Sequence, residues 1–299
     1  MNYKFWIYML AIVVLTLCCR NKHEKSNDVV NIDYSGFQLP TTIPITFVPG
    51  LFSLPEINEY GGHFSPDGKE FYFTRFKPGS PAEIMSSAFS DSKWSTPISV
   101  TFVDEFPGSE SCFSPDGKKF FYVHFYEQNG KYFDQFFTVN RTENGWSTPQ
   151  SLNITNHGDR QISPSVSKNY NLYFSGNLNT PEDKDIFVSY YENGEYSSPI
   201  NLGESVNSEF YEEHVFVSPE EDYIIFDSYR PGGFGGSDLY ISFRNSDGSW
   251  SNAQNLGATI NSEFYDWYPN ITPDGKYLIF ARTINGKIDL YWCEATELI

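Results

Sequence analysis

The 299-residue chain is long enough for one large or two ordinary domains. Aromatic side chains make up 18% of it, with 27 Phe and 21 Tyr, a composition that favours β structure. With 38 acidic residues against 20 basic ones the net charge is -18, a field that repels phosphate backbones and anionic bilayers and so excludes nucleic acid and bare membrane surface as partners.

The first element is an apolar run over residues 5–17, preceded by Lys4 and closed by Cys18 and Cys19. It is shorter than the roughly twenty residues of a membrane span and fits the core of a signal peptide. The end of the run, "LTLCC", resembles the lipobox of bacterial lipoproteins, in which a cysteine becomes the lipidated first residue of the mature chain. The resemblance implies acylation of Cys18 or Cys19. The family prefers a small residue before that cysteine, where this chain has Leu17 or Cys18; an uncleaved anchor or a plain secretory signal are the alternatives. Neither cysteine is followed by Asp, so nothing resembles an inner-membrane retention signal. The expected place is the cell envelope, at the outer membrane or in the periplasm, with the membrane touched only through the lipid. Residues 20–41 are polar and aperiodic and read as a flexible tether, which leaves residues 42–299 as a single domain.

That domain repeats itself. Ser65-Pro66-Asp67-Gly68, Ser114-Pro115-Asp116-Gly117 and Thr272-Pro273-Asp274-Gly275 spell one turn, and Ser163-Pro164 and Ser218-Pro219 read as degenerate copies. The spacings are 49, 49, 55 and 54 residues. An apolar residue precedes each turn: Phe64, Phe113, Ile162, Val217 and Ile271. Ser-Pro-Asp-Gly suits a type I turn, and a β-rich strand follows each time, such as "EFYFT" and "YLIFA". A third strand ("DIFVSYY", "DLYISFR") and a fourth ("WSTPISV", "YSSPINL") complete each copy. Four strands in about 50 residues make one blade of a β-propeller.

The fifth copy stops after its third strand, whereas "TIPITFVPG" (residues 42–50) lies upstream of the first copy and matches the missing piece. The N-terminal strand is therefore expected to complete the last blade and close the ring, which removes exposed edges. The expected fold is all-β, a propeller of five four-stranded antiparallel blades, or six if one has lost its signature. "FSPDGKEFYFT" resembles the WD-repeat-like propeller repeats of TolB-type periplasmic proteins over residues 42–299. "SYRPGGFGGSDLYIS" (residues 228–242) resembles segments of envelope lipoproteins that carry these repeats. TolB-type members usually have six blades and some carry a second domain, for which this chain shows no sign.

In a propeller the first strand of each blade lines the central channel. Counting back from the Ser or Thr of each turn gives a column of Gly61, Glu110, Asp159, His214 and Tyr268, preceded by Tyr60, Ser109, Gly158, Glu213 and Trp267, and before that by Glu59, Gly108, His157, Glu212 and Asp266. These positions are polar and vary from blade to blade, as a binding site on a fixed scaffold would; solvated strand ends around a wet channel are the plainer reading. Glu110, Asp159, Arg160, Glu213, His214, Trp267 and Tyr268 are the candidate ligand-binding residues, with Trp267 placed to stack on a sugar. No catalytic residue is assigned. In the alternative, Glu110, Asp159, Glu213 and Asp266 converge as the acid and base of a carbohydrate-active hydrolase or lyase, or hold Ca²⁺; otherwise no cofactor is expected.

The remaining motifs read as structural. Asp134, Asp185, Asp238 and Asp289 (with Glu83) begin the third strands, and Arg75, His124 and Arg282 end the second strands; pairs between the two sets would explain both. Trp94, Trp146 and Trp250 recur as packing anchors, "RPGGFGGSD" is a loop rather than a phosphate cradle, and "NSDGSW" resembles the sialidase Asp box, itself a turn. Cys112 and Cys293 fall on different blades, beyond disulfide reach, and the five His show no metal spacing. The sequence thus describes a monomeric lipoprotein propeller that binds an envelope protein or a glycan.

Overall fold

The computed structural model describes residues 30, 32–128, 130–154, 160–178 and 184–299. Its architecture is five antiparallel sheets ringed about an axis as a five-bladed propeller. From the axis outward, blade one is Asn58–Phe64, Glu70–Phe76, Glu83–Ser90 and Ile98–Ser99, and blade two is Gly108–Phe113, Lys119–Gln128, Lys131–Thr142 and Gln150–Ser151. Blade three is Gln161–Val166, Leu172–Gly176, Asp185–Ser189 and Ile200–Asn201; blade four is Glu212–Val217, Tyr223–Ser228, Asp238–Phe243 and Gln254–Asn255. Blade five is Tyr265–Ile271, Tyr277–Ile284 and Lys287–Glu294, and its outer strand is Ile45–Thr46, with Ile45 opposite Trp292 and Thr46 opposite Tyr291. The ring is closed as the repeat arithmetic requires.

Strand alternation explains how the blades adhere. Successive residues point to opposite faces of a sheet, so "EFYFTRF" sends Phe71 and Phe73 toward blade five, among Ile279, Leu290 and Trp292. Tyr72 goes the other way, among Phe113, Phe120 and Tyr122 of blade two. Likewise Ile225 joins Leu278 and Phe280, while Ile224 and Phe226 join Tyr173 and Ile186. The core is thus a set of interblade layers, and the abundance of aromatics follows from the wedge-shaped space each layer must fill. Trp94 and Trp250 are buried anchors in two of these layers, and Cys112 and Cys293 are buried and unpaired.

Three expectations need correction. The segment read as a tether packs well before residue 42. Ile32 is buried, Tyr34 donates its hydroxyl to Asp274 at 3.1 Å, and Phe37 stacks on Trp94 at 6.2 Å. Apolar side chains at two- and three-residue spacing in a polar stretch were enough to cover the seam between blades five and one. The second correction concerns blade three. In every blade the turn residue's N–H closes onto the following strand: Ser65 onto Glu70, Ser114 onto Lys119, Ser218 onto Tyr223 and Thr272 onto Tyr277. In blade three the residue doing this is Ser167, onto Asn171 at 3.0 Å. Ser163-Pro164 therefore lies inside the inner strand, and Val166, not Ile162, is the apolar residue before the turn. Pro164 is tolerated there because it occupies an interruption of the ladder between Ile162 and Ser165, where no N–H is required.

The third correction concerns the acid–arginine pairs. Arg75 binds Glu59 at 3.1 Å and Arg282 binds Asp266 at 2.5 Å, both on the first strand rather than the third. His124 instead meets the Pro107 carbonyl at 2.6 Å. The third-strand acids have other partners: Asp134 pairs with Arg160, Asp289 with Lys287, and Asp238 accepts the N–H groups of Phe234 and Gly235 in the glycine-rich loop.

Candidate ligand-binding site at the propeller axis

Four residues before each turn the inner strand breaks register, between Tyr60 and His63, Ser109 and Ser111, Ile162 and Ser165, Glu213 and Phe216, and Trp267 and Asn270. The residue at the break has a left-handed backbone in all five blades: Gly61 (φ 64°), Glu110 (53°), Ser163 (55°), His214 (43°) and Tyr268 (54°). A bulge re-aims a side chain at the cost of local strain, about 1 kcal/mol or more for each non-glycine residue. The strain is repeated around the axis, so the re-aiming is a property of the repeat. It turns four polar or aromatic side chains toward one another.

These side chains form a buried cluster. The Glu110 carboxylate accepts the Ser163 N–H at 2.9 Å and its hydroxyl at 3.2 Å. His214 Nδ1 binds Asp227 at 2.9 Å, and its ring lies 4.9 Å from that of Tyr268. Tyr268 covers Gly61 closely: a Cβ there would sit 3.1 Å from the ring. The Tyr268 hydroxyl is buried without a hydrogen-bond partner among the described residues. Burial raises the Glu110 carboxyl above its usual range, an effect that His214 and Ser163 moderate. Burial by itself would lower His214, but Asp227, with Glu213 and Glu110 behind it, holds the imidazole up at about 9. At neutral pH the axis therefore carries an imidazolium bound to Asp227. Glu213, His214 and Asp227 bring three donor atoms within 4.8 Å of one another, yet His214 is committed to Asp227 and Glu213 to Lys184.

Of the candidate residues, Glu110, Glu213, His214, Trp267 and Tyr268 come together. Asp159 lies outside the described residues, and Ser163 holds its place in the column. Arg160 is engaged by Asp134. Asp266 is buried and bound by Arg282 and Ser262.

The mouth on this side of the cluster is aromatic. Trp267 lies 5.2 Å from Tyr60 and 5.0 Å from His214. Outside them runs a row of tyrosines, Tyr211, Tyr229 and Tyr265, exposed by 41%, 37% and 47%, with ring centroids 5.9 and 6.3 Å apart. Lys184, paired with Glu213, sits over the Tyr211 ring at 5.4 Å. The glycine-rich loop of blade four shapes the end of this row: a Cβ on Gly236 would lie 2.4 Å from the Tyr265 ring, and Ser237 donates its hydroxyl to Asp227 at 3.1 Å. Asp227, Lys184 and the tyrosine row were not singled out from sequence. A signal for the row existed in "NSEFYEE" and "NSEFYDW" (residues 207–213 and 261–267). In both, the Ser N–H binds the acid four residues on, Glu212 at 2.7 Å and Asp266 at 2.6 Å, which presents Tyr211 and Tyr265 outward.

No family model and no curated protein matches the chain. Among solved structures it is similar to an α-L-arabinofuranosidase from Podospora anserina in complex with cellotriose, with a TM-score of 0.50 and 10% identity over 85% of this chain and 97% of that one. It also aligns with TolB from Acinetobacter baumannii (TM-score 0.48, 14% identity, 78% of this chain) and with an oligogalacturonate lyase in complex with manganese (TM-score 0.39, 11% identity, 86% of this chain and 94% of that one). The chain spans 54% of the length of that TolB. At these identities the likeness is one of fold, and it is the propeller that the chain shares with the Podospora enzyme.

Proposed function

We propose that this protein is a cell-envelope lipoprotein, acylated at Cys18 or Cys19, whose propeller binds a glycan at the axial mouth bounded by Glu213, Trp267 and the tyrosine row. The row of Tyr211, Tyr229 and Tyr265 carries this reading. Exposed rings in sequence offer flat apolar faces to successive sugar rings, while the Lys184–Glu213 pair supplies a donor and an acceptor for their hydroxyls. A protein partner is the competing occupant, and the chain acts as a monomer in either case. A carbohydrate-active hydrolase, the activity of the Podospora enzyme, is the second reading, favoured by the raised pKa of Glu110, since a general acid needs such a shift. Against it, Glu110 is bound to Ser163 and Asp266 to Arg282, whereas a glycosidase needs two carboxyl groups free to flank the bond. A glycan array on the purified chain, paired with a reducing-end assay on each bound glycan, decides among the three. Binding without release of reducing ends is expected. Release would establish the hydrolase, and no bound glycan would leave the protein partner. Mass spectrometry of the mature N-terminus is expected to show an acylated cysteine; an unmodified chain beginning beyond Cys19 would remove the anchor.

A further inference from the structure

The inner strands also have a turn-side end, and there the axis opens into a recess of 810 Å³ among the repeat turns. We infer that this recess is a second binding site, for a small apolar or aromatic molecule that carries an N–H or O–H donor and a positive charge. From sequence these residues form the repeat turns and carry no binding role, and the proposed glycan site lies at the opposite end of the same strands.

Three observations carry the inference. The first is an unpaired acceptor. His63 lines the recess, is buried, and meets the Gly61 carbonyl through Nδ1 at 3.2 Å. A carbonyl can only accept, so Nδ1 carries the proton and Nε2 presents a lone pair. Nε2 has no partner among the described residues, and burial lowers His63 to about 4, so the ring stays neutral at physiological pH. A buried acceptor left unpaired costs stability, and because Nε2 has almost no accessible surface a ligand donor relieves it by parting the side chains that cover it. The second is an apolar lining where a channel would be wet: Phe216 stands half-buried at the position equivalent to His63, with Phe113, Tyr223 and the turn prolines Pro66, Pro115 and Pro273 around it. The volume falls in the range of drug-sized ligand sites, about 300–1,000 Å³. The third is the charge: Asp116, Glu220, Asp222 and Asp274 line the recess against Lys168. Lys118, Lys168 and Lys276 pair with Asp116, Glu220 and Asp274, so four carboxylates stand against three ammonium groups, and the remaining negative charge favours a cation over an anion.

Tryptamine, phenethylamine and benzamidine combine a ring, an N–H donor and a positive charge; indole-3-acetate keeps the indole ring and reverses the charge. Calorimetric titration of the full mature chain is expected to give a Kd below about 1 mM for at least one amine, a range typical of weak small-ligand binding, and indole-3-acetate at least tenfold weaker. His63→Phe should weaken the amine about fivefold or more by deleting the acceptor, which corresponds to the modest net value of one hydrogen bond. Phe216→Ala should weaken it as well, and remains informative if His63→Phe does not fold. Tyr211→Ala should leave it unchanged, which separates this site from the glycan site. Absence of binding by all three amines, equal binding of the anion, or indifference to both His63→Phe and Phe216→Ala would overturn the inference.

Discussion

Glu110 of blade two accepts two hydrogen bonds from Ser163 of blade three, at 2.9 Å from the N–H and 3.2 Å from the hydroxyl. Two residues 53 positions apart are joined at the axis because each sits on the same left-handed bulge. Glu110→Ala is expected to destabilise the fold by about 1–3 kcal/mol, the cost of leaving a buried N–H unpaired. Glu110→Gln keeps an acceptor and should stay within about 1 kcal/mol of wild type by the same reasoning. Because the folded pKa of Glu110 is raised, its contribution is lost as pH rises through that value. The Gln variant should therefore gain on wild type from acid to neutral pH. Chemical denaturation of both variants at two pH values checks this; equal losses in both would remove the hydrogen-bond account.

His63 and His214 are shifted in opposite directions, to about 4 and about 9. For His214 the folded value lies above the unfolded one, near 6.5, so its contribution is complete below about pH 6.5 and is lost as pH rises toward 9. For His63 the folded value is depressed, so stability falls as pH drops from about 6.5 toward 4. Melting curves across this range should show His214→Asn flattening the alkaline limb and His63→Phe the acid limb. Asn is chosen at 214 because it tolerates the left-handed backbone. A slope unchanged by the corresponding substitution would refute the assignment for that histidine.

The N-terminal segment is part of the fold. Phe37 lies 5.8 Å from Phe47, 6.1 Å from Trp292 and 6.2 Å from Trp94, covering the seam where the ring closes. Phe37→Ala should cost about 2–4 kcal/mol and Ile32→Ala about 2–3 kcal/mol, as for large-to-small changes in a packed core. Deleting residues 20–40 should lower the melting temperature clearly, and deleting residues 20–50 should cause aggregation by exposing the edge of Lys287–Glu294. Differential scanning fluorimetry distinguishes these. A wild-type melting temperature for the shorter deletion would show that the segment contributes nothing.

The tyrosine row depends on the loop beneath it. Gly236→Ala would place a methyl 2.4 Å from the Tyr265 ring, so the ring must move. Tyr211→Ala removes a stacking face directly, worth about 1 kcal/mol per ring by analogy with other aromatic contacts. Glycan affinity is expected to fall about fivefold or more in each, with melting temperatures near wild type for Tyr211→Ala. Affinity unchanged in both variants would move the glycan away from this mouth.

The aligned turns carried the fold. Ser-Pro-Asp-Gly before a strand is a local signal, set by the fixed φ of Pro and the freedom of Gly, and three strong copies sufficed to phase the strands and to assign Ile45–Thr46 to blade five. Blade three misled because Ser-Pro recurs in it for a different reason. The right match was "YPNIT" (residues 268–272) with "SPSVS" (residues 163–167), a Pro at a bulge rather than in a turn. A dipeptide identifies a backbone shape only together with the ladder around it.

By itself the sequence determined what is local and periodic: strand alternation, turn chemistry and the closure of the ring, with the choice of five blades over six left to the structure. Only the tertiary structure decided what is convergent. Whether an acid reaches the axis depends on which neighbour claims it. Glu110 reaches it, while Asp266, two residues before Tyr268 at the blade-five break, is held by Arg282. Asp227, on a second strand, reaches the axis through His214. Such choices are made by charge pairing and burial between residues far apart in the chain, and no spacing along one strand encodes them.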